Sequence, residues 1–385
     1  MTAQHIEVAV VGLGAMGASA LWRLAEHGVA AVGFEQFAVG HALGSTHGAT
    51  RLYREACLEH PDLTPVAQLS RELFRELEEH SGEELLRMTG GVMIGREDSD
   101  VVRGTLAAAS AHGVETARIG SAELSERYPQ HAGLDPDDVG VLVPGAGIAF
   151  PEATVVAAVA RARALGARTI ENTRVLEVDP GDDDVRIRTA EGEWIADRVI
   201  LTQGAWLAAA VPGLRLQPVR TPMTWFEPKA GGDDYRIERF PVFVRQLGLR
   251  DVLWGHGSVG TGAHGDLVKT GVGDIWHERA TLDPDRMDRG VRSSDWSEVA
   301  GLMRTALPGI DPAPARVDPC MITLSPDDQF VVGHSPLHRR MVVGGGDSGH
   351  AFKHAPALGE ILARAAIGLE QSIETGFMDP RRFSV

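Results

Sequence analysis

Cys320 is the side chain of this sequence with the clearest capacity for covalent chemistry, because a thiolate is a strong nucleophile. It is one of two cysteines in 385 residues and lies in the stretch DPCMITLSPDDQF, just before a Ser-Pro-Asp-Asp turn. A small buried apolar residue is the alternative interpretation of Cys320. Cys57 has no comparable context and is interpreted as structural. Two cysteines form no disulfide framework in a chain of this size and favour a reducing compartment.

Three glycines near the N-terminus, Gly12, Gly14 and Gly17, form a GxGxxG motif. The apolar run before them predicts a buried strand, residues 18–27 predict a helix, and the next apolar run predicts a strand that ends in Glu35. A pyrophosphate can approach such a turn at the helix N-terminus, and the acid can accept hydrogen bonds from a ribose. The unit therefore predicts a dinucleotide site, with a purely structural glycine turn as the alternative.

Later glycine turns favour FAD over NAD as this dinucleotide. The stretch RVILTQGAW leads from a predicted strand into Gly204, and VVGGGDSGHAF leads from another strand into a turn at the start of the last helix. The positive end of a helix dipole suits a flavin, which carries negative charge when it is reduced.

The remaining pattern predicts the elements that must position these residues. A Gly- and His-rich segment, residues 40–56, is predicted to be a loop that runs into a helix. Periodicity predicts further helices over residues 63–79, 101–112 and 152–165. The stretch VRIRTAEGEWIADRVILT predicts a hairpin with Glu-Gly in its turn.

The alternation of strands and helices predicts an α/β protein whose second domain is α+β. A Rossmann-like FAD-binding domain is expected to be interleaved with a substrate domain rich in β-sheet. The FAD-binding domain is predicted from residues 1–89, 147–217 and 327–385, and the substrate or catalytic domain from residues 90–146 and 218–326.

Composition argues against several classes of partner. The net charge is −16 and basic residues do not cluster, so no nucleic-acid partner is expected. No apolar run approaches the roughly 20 residues of a membrane helix, and no signal peptide is recognised, so a cytoplasmic protein without membrane contact is expected. His256 and His264 are eight residues apart without a clear third ligand, so no metal site is predicted.

Six stretches together resemble the monomeric sarcosine oxidase and N-methyltryptophan oxidase family of flavoprotein amine oxidases. They occur in matching order along the whole chain and are GLGAMGASALWRLAEHG, GSTHGATRLYR, NTRVLEV, QGAWL, PCMITLSPDDQFVV and GGGDSGHAFK. The GSxHGxTR and C-M-x-T-x-[ST]-P-D patterns are far more specific than the glycine motif. The resemblance implies a FAD domain interleaved with a substrate domain, and it favours a monomer.

The resemblance also implies that Cys320 is attached to the 8α-methyl carbon of the flavin. Such a bond requires a thiolate, so a lowered pKa of Cys320 or a basic neighbour is expected. The residues expected to bind the cofactor are Gly12, Gly14, Met16, Gly17, Glu35, Gln36, Ser45, His47, Thr50, Arg51, Val175, Gly204, Trp206, Cys320, Gly346, Ser348, Gly349, His350 and Lys353.

Three cationic side chains, Arg51, Lys269 and Lys353, are expected to act in catalysis. By resemblance, Lys353 pairs with the substrate carboxylate and forms a two-point clamp with Arg51. Arg54, three residues later and assigned to the same helical face, is a second positive group. Lys269 matches the lysine that promotes oxygen reduction, where a buried cation would stabilise developing superoxide. Ordinary solvent-exposed cations are the alternative interpretation.

The wall expected around the substrate departs from the family. The family has a histidine four residues after the lysine matched by Lys269, but this chain has Gly273, and His277 could replace it only if the loop shifts. Ile322 stands at the position of a substrate-facing tyrosine, and Trp254 corresponds roughly to another. The residues expected to bind substrate are Arg51, Lys353, Trp254 and Ile322, and the substrate need not be sarcosine.

The predicted function is FAD-dependent oxidation of the C–N bond of a secondary amine or N-methyl amino acid. A hydride equivalent passes to flavin N5, and O₂ is reduced to H₂O₂. A non-covalent FAD amine dehydrogenase or a primary amino acid oxidase is the first alternative. A flavin-binding scaffold without turnover is the second, because the histidine and tyrosine positions have changed. The expected partners are a small amine and O₂.

Overall fold

Two large β-sheets and a set of helices organise the chain, and the computed structural model describes residues 4–261, 264–273 and 280–383. The strands are β1 Gln4–Val11, β2 Ala31–Phe34, β3 Arg51–Arg54, β4 Leu86–Met88, β5 Gly91–Arg96, β6 Ala117–Gly120, β7 Asp138–Val143, β8 Ala146–Ala149, β9 Arg168–Ile170, β10 Val175–Pro180, β11 Val185–Thr189, β12 Glu193–Leu201, β13 Gln217–Pro228, β14 Val242–Leu247, β15 Asp251–His256, β16 Val268–Gly273, β17 Ile310–Leu324, β18 Val331–His334 and β19 Met341–Gly345. The α-helices are α1 Ala15–Glu26, α2 Leu63–Ser81, α3 Asp100–His112, α4 Ser121–Arg127, α5 Pro151–Ala164, α6 Leu207–Ala210, α7 Ser297–Ala306 and α8 Ala355–Ile367.

The first sheet carries the glycine motif. Its eight strands run in the order β10-β11-β12-β1-β2-β9, with β19 beside β12 and β18 beside β19. Strand β1 is apolar on both faces because both are covered: Val8 and Val10 pack into a core with α1, α5 and α8, and Ala9 and Val11 pack into a second core. All strands of this sheet lie within the three segments predicted for the FAD-binding domain. The division into domains itself stays a prediction.

The second sheet supplies most of the site. Its eight strands run in the order β17-β13-β16-β15-β14-β5-β7-β6 and are antiparallel neighbours except for β14 and β5. A small third sheet has three strands in the order β3-β8-β4. The predicted α/β class with a second part rich in β-sheet is confirmed. No helix in the described part of the chain has the length and apolar composition needed to cross a bilayer.

Most of the local predictions agree with the structure. The helices predicted over residues 63–79, 101–112 and 152–165 are confirmed as α2, α3 and α5. The predicted hairpin is confirmed as β11 and β12, which pair antiparallel across the Glu-Gly turn. The first helix begins at Ala15, three residues before the predicted start, because it begins directly after Gly14 of the motif.

The helix predicted after the Gly- and His-rich loop is wrong. Arg51–Arg54 form β3, which pairs antiparallel with β8 and obtains its backbone hydrogen bonds there. Gly48 and Ala49 have φ values of 102° and 63°, so the chain leaves helical geometry just before this segment. Because side chains alternate along a strand, Arg51 and Arg54 point to opposite faces instead of sharing one.

Candidate active site

The glycine turn between β1 and α1 has the geometry of a phosphate site. Gly12 has a φ of 91°, and its N–H donates to Phe34 O at 2.8 Å. A Cβ on Gly17 would lie 1.8 Å from Gly12 O, so only glycine permits this contact. Gly14 at the N-cap has no side chain to cap α1, and Thr46 Oγ1 accepts from Ala15 N, the first amide of the helix, at 3.3 Å. The positive end of the helix dipole faces the cavity and suits an anion.

Glu35 directly follows β2, and the backbone fixes its side chain. Oε2 accepts from Leu13 N at 2.8 Å, and Oε1 accepts from Phe37 N at 3.0 Å. The carboxylate is buried and lines the same cavity as the glycine turn. An acid held in this orientation suits the hydroxyls of an adenosine ribose.

One cavity of about 1800 Å³ joins the glycine turn to the second sheet. A site for one drug-sized ligand is typically roughly 300–1,000 Å³, so this cavity has room for a dinucleotide and a second molecule. The predicted cofactor and substrate residues that line it are Gly12, Gly14, Met16, Glu35, Gln36, Ser45, Thr50, Arg51, Val175, Gly204, Trp206, Trp254, Lys269, Cys320, Ile322, Gly346, Ser348, Gly349, His350 and Lys353. Two other predicted cofactor residues, Gly17 and His47, are not on this lining.

Cys320 and Lys269 lie on one face of the second sheet. Cys320 on β17 is opposite Thr221 on β13, and Trp225, further along β13, is opposite Lys269 on β16. Lys269 is in turn opposite His256 on β15. Directly opposed residues share a face of a sheet, and so do residues two apart along a strand. The sheet therefore places the thiol and the amine along one wall of the cavity.

Lys269 is buried and is held by backbone carbonyls. Its Nζ donates to Gly48 O and to Thr50 O, each at 2.7 Å, and lies 4.8 Å from the ring centroid of Trp225. None of the described carboxylates forms an ion pair with it. Burial lowers the pKa of Lys269 well below that of an ordinary lysine, and the neighbouring Arg51 lowers it further.

The turn that supplies these carbonyls is itself held in an unusual conformation. Gly48 and Ala49 both have positive φ values, 102° and 63°. Their N–H groups donate to Glu152 Oε1 at 2.7 Å and 3.2 Å. An alanine in the left-handed region costs about 1–2 kcal/mol. The turn is stabilised on two sides, by Glu152 at its amides and by Lys269 at its carbonyls.

Cys320 is buried beside Arg51. Its Sγ lies 3.8 Å from Ser45 O, the carbonyl to which Arg51 Nη2 donates at 3.1 Å. Burial raises the pKa of Cys320, while Arg51 and Lys269 act in the opposite direction. The expectation of a lowered thiol pKa is therefore wrong for this structure, because the loss of solvation of the thiolate outweighs the nearby positive charge. The basic neighbour expected as the other possibility is present.

A second cluster, formed by the buried Arg54 and Lys353 and the half-buried Glu59, lines the same cavity. Lys353 Nζ donates to Glu59 Oε1 and to His350 O, both at 3.1 Å, and Arg54 Nη2 donates to the same carboxylate oxygen. Burial alone would raise the pKa of Glu59, but Arg54 and Lys353 hold it well below its usual range. Nε and Nη1 of Arg54 are buried without a hydrogen-bond partner among the described residues. Two cations against one anion leave one positive charge in excess, which a ligand carboxylate can balance.

The structure brings Arg54, not Arg51, to Lys353. The guanidinium of Arg51 instead donates to Ser45 O and Thr50 O on the side of Cys320 and Lys269. Lys353 lies in a short 3₁₀ turn, Phe352–His354, directly before α8, and not in the first turn of that helix. Sequence reasoning missed Glu59, because it lies in an irregular segment after β3 where no local pattern marks an acid as functional.

Two residues of the predicted substrate wall also line the cavity. Trp254 lies across Gly271, where an added Cβ would be 2.5 Å from the indole ring. Ile322 lies on the same face of β17 as the thiol, two residues further along the strand. Gly273 lines the cavity as well, whereas His277 lies outside the described residues.

Two buried histidines flank the turn around Lys269. His256 Nδ1 lies 2.7 Å from Gly257 O and donates to it, so Nε2 accepts from Thr50 Oγ1 at 2.9 Å. Burial lowers the pKa of His256 to about 4. Burial, followed by the charge of Arg51, also lowers the pKa of His47 to about 4. Both ring nitrogens of His256 are thus engaged in hydrogen bonds. The absence of a metal site at His256 and His264 stays a prediction.

The donors present in the cavity fit FAD. The turn at Gly12 places the positive end of the α1 dipole towards a pyrophosphate, and Glu35 offers acceptors to a ribose. Ser45 Oγ is buried without a hydrogen-bond partner among the described residues, on the lining between the two sheets. This distribution of polar groups matches a long dinucleotide that extends from the first sheet to the second.

Comparison with known proteins agrees with this geometry. Residues 7–365 match the model of the family described as FAD dependent oxidoreductase. The chain belongs to this family.

Two relatives and one solved structure show which members of the family are similar to this chain. The monomeric sarcosine oxidase of Streptomyces avermitilis is 31% identical to this member over 98% of both chains. The N-methyl-L-tryptophan oxidase of Salmonella heidelberg is 30% identical over 98% of this chain and 99% of its own. Among solved structures, NikD, an unusual amino acid oxidase essential for nikkomycin biosynthesis, is 25% identical and has a TM-score of 0.82 over 98% of both chains. The predicted family, FAD as the cofactor and the oxidoreductase class are confirmed.

Proposed function

We propose that this FAD dependent oxidoreductase oxidises the C–N bond of a secondary amine or N-methyl amino acid and releases H₂O₂. The observation that carries the proposal is the buried pair of Arg54 and Lys353, in the same cavity as the dinucleotide turn. Relatives named for sarcosine and for N-methyl-L-tryptophan support it, because both names denote N-methyl amino acids. When bound, FAD supplies the two-electron oxidation of the substrate and the reduction of O₂.

Arg54 and Lys353 are proposed to hold the substrate carboxylate. The two free guanidinium nitrogens of Arg54 are hydrogen-bond donors in a fixed plane, which suits a carboxylate. Glu59 keeps both cations in place before the substrate binds and limits the excess charge that must be buried. Arg51 would then act near the cofactor instead of in the clamp.

Lys269 is proposed to promote the reduction of O₂. A cation fixed at the cavity wall stabilises the negative charge that develops on oxygen, and a buried position strengthens this effect. The carbonyls of Gly48 and Thr50 orient the amine, so little reorganisation is needed when charge develops.

Cys320 is proposed to carry FAD through a thioether bond to the 8α-methyl carbon, with Arg51 lowering the cost of forming the thiolate. Forming this bond would replace one hydrogen of the methyl group by sulfur and leave the flavin reduced by two electrons, which O₂ would then accept to give H₂O₂. Acid precipitation of the protein should give a yellow pellet. Cys320→Ser should move the yellow colour to the supernatant, while Cys57→Ser should leave it in the pellet. A colourless wild-type pellet would contradict the covalent link.

The alternative is a non-covalent FAD enzyme, such as an amine dehydrogenase or a primary amino acid oxidase, in which Cys320 would stay a buried free thiol. Peroxide release from matched N-methyl amino acids, primary amino acids and amines without a carboxylate tests these functions together. The proposal expects the N-methyl amino acids to react fastest and the amines without a carboxylate to react poorly. We also propose a cytoplasmic monomer, on the basis of the thiol-poor composition and the similarity to a monomeric sarcosine oxidase.

A further inference from the structure

The cavity extends beyond the two cationic clusters into an apolar arm. We define the arm by Val101, Gly104 and Ala107 of α3, Val244 of β14, and Val252 and Trp254 of β15, all of which line the cavity. Val101, Val244, Val252 and Trp254 also belong to one apolar cluster of the core.

Strand register shows where the arm runs. Lys269, Gly271 and Gly273 of β16 are opposite His256, Trp254 and Val252 of β15, so all six residues share the face that bears the lysine. At roughly 3.4 Å per residue, this row of residues spans about 14 Å from Lys269 to Gly273. Val244 on β14 is opposite Trp254 and continues the same face.

Gly271 and Gly273 of β16 leave the base of the arm free of side chains. The indole of Trp254 lies over Gly271, where a Cβ would be 2.5 Å from the ring, and a Cβ on Gly273 would lie 3.2 Å from Val252. A side chain at either position would occupy the space that the arm uses or displace its walls.

The arm begins beside the carboxylate clamp. A Cβ on Gly104 of α3 would lie 2.9 Å from Leu58 O, and Leu58 directly precedes Glu59, the acid that bridges Arg54 and Lys353. An anion held by the clamp therefore has its remaining atoms within reach of α3. Towards solvent the lining becomes polar, with Asp100 and Arg103 bonded to each other at 2.7 Å.

We propose that the arm binds an extended apolar N-substituent of the substrate, so that the preferred substrate class is amino acids with a long N-alkyl group. This inference rests on the proposed function, because it takes the carboxylate at Arg54 and Lys353 as the fixed end. Valine, alanine and tryptophan surfaces stabilise apolar groups by removing them from water and offer nothing to a polar chain.

The test is a series of alkoxyacetates, from methoxyacetate to hexyloxyacetate, bound to the FAD-loaded protein. These compounds keep the carboxylate and replace the amine by an ether oxygen, so that binding is measured without turnover. Dissociation constants come from the change in flavin absorbance and from isothermal titration calorimetry. The proposal expects binding to tighten about fourfold with each added methylene, the value for full burial of one CH₂.

Two variants of α3 locate the effect. Ala107→Trp adds an indole at the exposed rim of the arm and should reduce the gain with chain length, whereas Ala111→Trp, at an equally exposed alanine of the same helix that is not on the lining, should keep the full gain. Affinity that stays constant along the series, or a gain with chain length that Ala107→Trp leaves unchanged, would contradict binding of the alkyl chain in the arm. If methoxyacetate itself fails to bind, the carboxylate site and thus the proposed function are overturned first, so the two failures are distinguishable.

Discussion

Two of the three lysines of this chain are buried in one cavity, yet they are held in different ways. Lys353 is paired with the carboxylate of Glu59, next to Arg54. Lys269 is held by two backbone carbonyls of a left-handed turn. A lysine that shares one carboxylate with a second cation leaves positive charge for a ligand carboxylate, which suits a binding site. A lysine anchored by the main chain has a fixed position, and its protonated form suits stabilisation of charge that develops during a reaction.

Lys353→Met should have the largest effect on catalysis. Removing one partner of a buried, hydrogen-bonded charge pair typically costs 2–5 kcal/mol, so we expect kcat/KM for carboxylate substrates to fall by roughly 10³-fold. The rate constant for reoxidation of the reduced enzyme by O₂ should change little. Steady-state kinetics and anaerobic stopped-flow reduction separate these two quantities.

The third lysine, Lys229, provides the matched control for that experiment. It is exposed and donates to Pro308 O, away from the cavity lining. Lys229→Met should therefore retain wild-type kcat/KM. Equal losses in Lys229→Met and Lys353→Met, or none in the latter, would contradict the assignment of the clamp.

Lys269→Met should have the opposite effect to Lys353→Met, because it should slow reoxidation by O₂ more than reduction by the substrate. Loss of one preorganised stabilising group typically costs 10²–10³-fold, so we expect reoxidation by O₂ to slow by roughly 100-fold. Anaerobic reduction by the substrate should be affected far less, because the carboxylate clamp is intact. If Lys269→Met slowed the reduction step and spared reoxidation, the two lysines would have been assigned the wrong way round.

The dinucleotide turn and the carboxylate clamp differ in how far the sequence predicts them. The glycine turn and Glu35 are predicted by local pattern, because one βαβ unit specifies strand, turn and acid within 35 residues. The grouping of Arg54 with Lys353 is not predicted. It depends on β3 pairing with β8, about a hundred residues away, which turns a supposed helical face into two faces of a strand. Glu59 adds a contact between distant segments that no spacing reveals.

Thr50→Val should show a smaller effect, on the support of the fixed lysine. The substitution keeps the shape and the carbonyl of Thr50 but leaves His256 Nε2 buried without its donor. An unsatisfied buried acceptor costs about 1–3 kcal/mol, so we expect a loss of that size in the free energy of unfolding. The double variant with His256→Phe removes both partners and should recover part of the loss. Strict additivity of the two single variants in urea unfolding would show that the hydrogen bond contributes nothing.

The pH dependence of stability gives the smallest expected effect and tests the lowered pKa of Lys269 directly. In the native state burial lowers this pKa, whereas in the unfolded chain it returns to about 10.4. Between the two values the unfolded chain binds one more proton than the native protein, so the free energy of unfolding rises with pH by up to about 1.4 kcal/mol per unit. This contribution is greatest above about pH 10.4 and is lost as the pH falls through the window. The difference in unfolding free energy between wild type and Lys269→Met, measured in urea from pH 7.5 to 9.5, should therefore increase with pH. Lys229→Met should retain the slope of the wild type. A constant difference between wild type and Lys269→Met over this range would place the native pKa of Lys269 above it and contradict the lowered pKa.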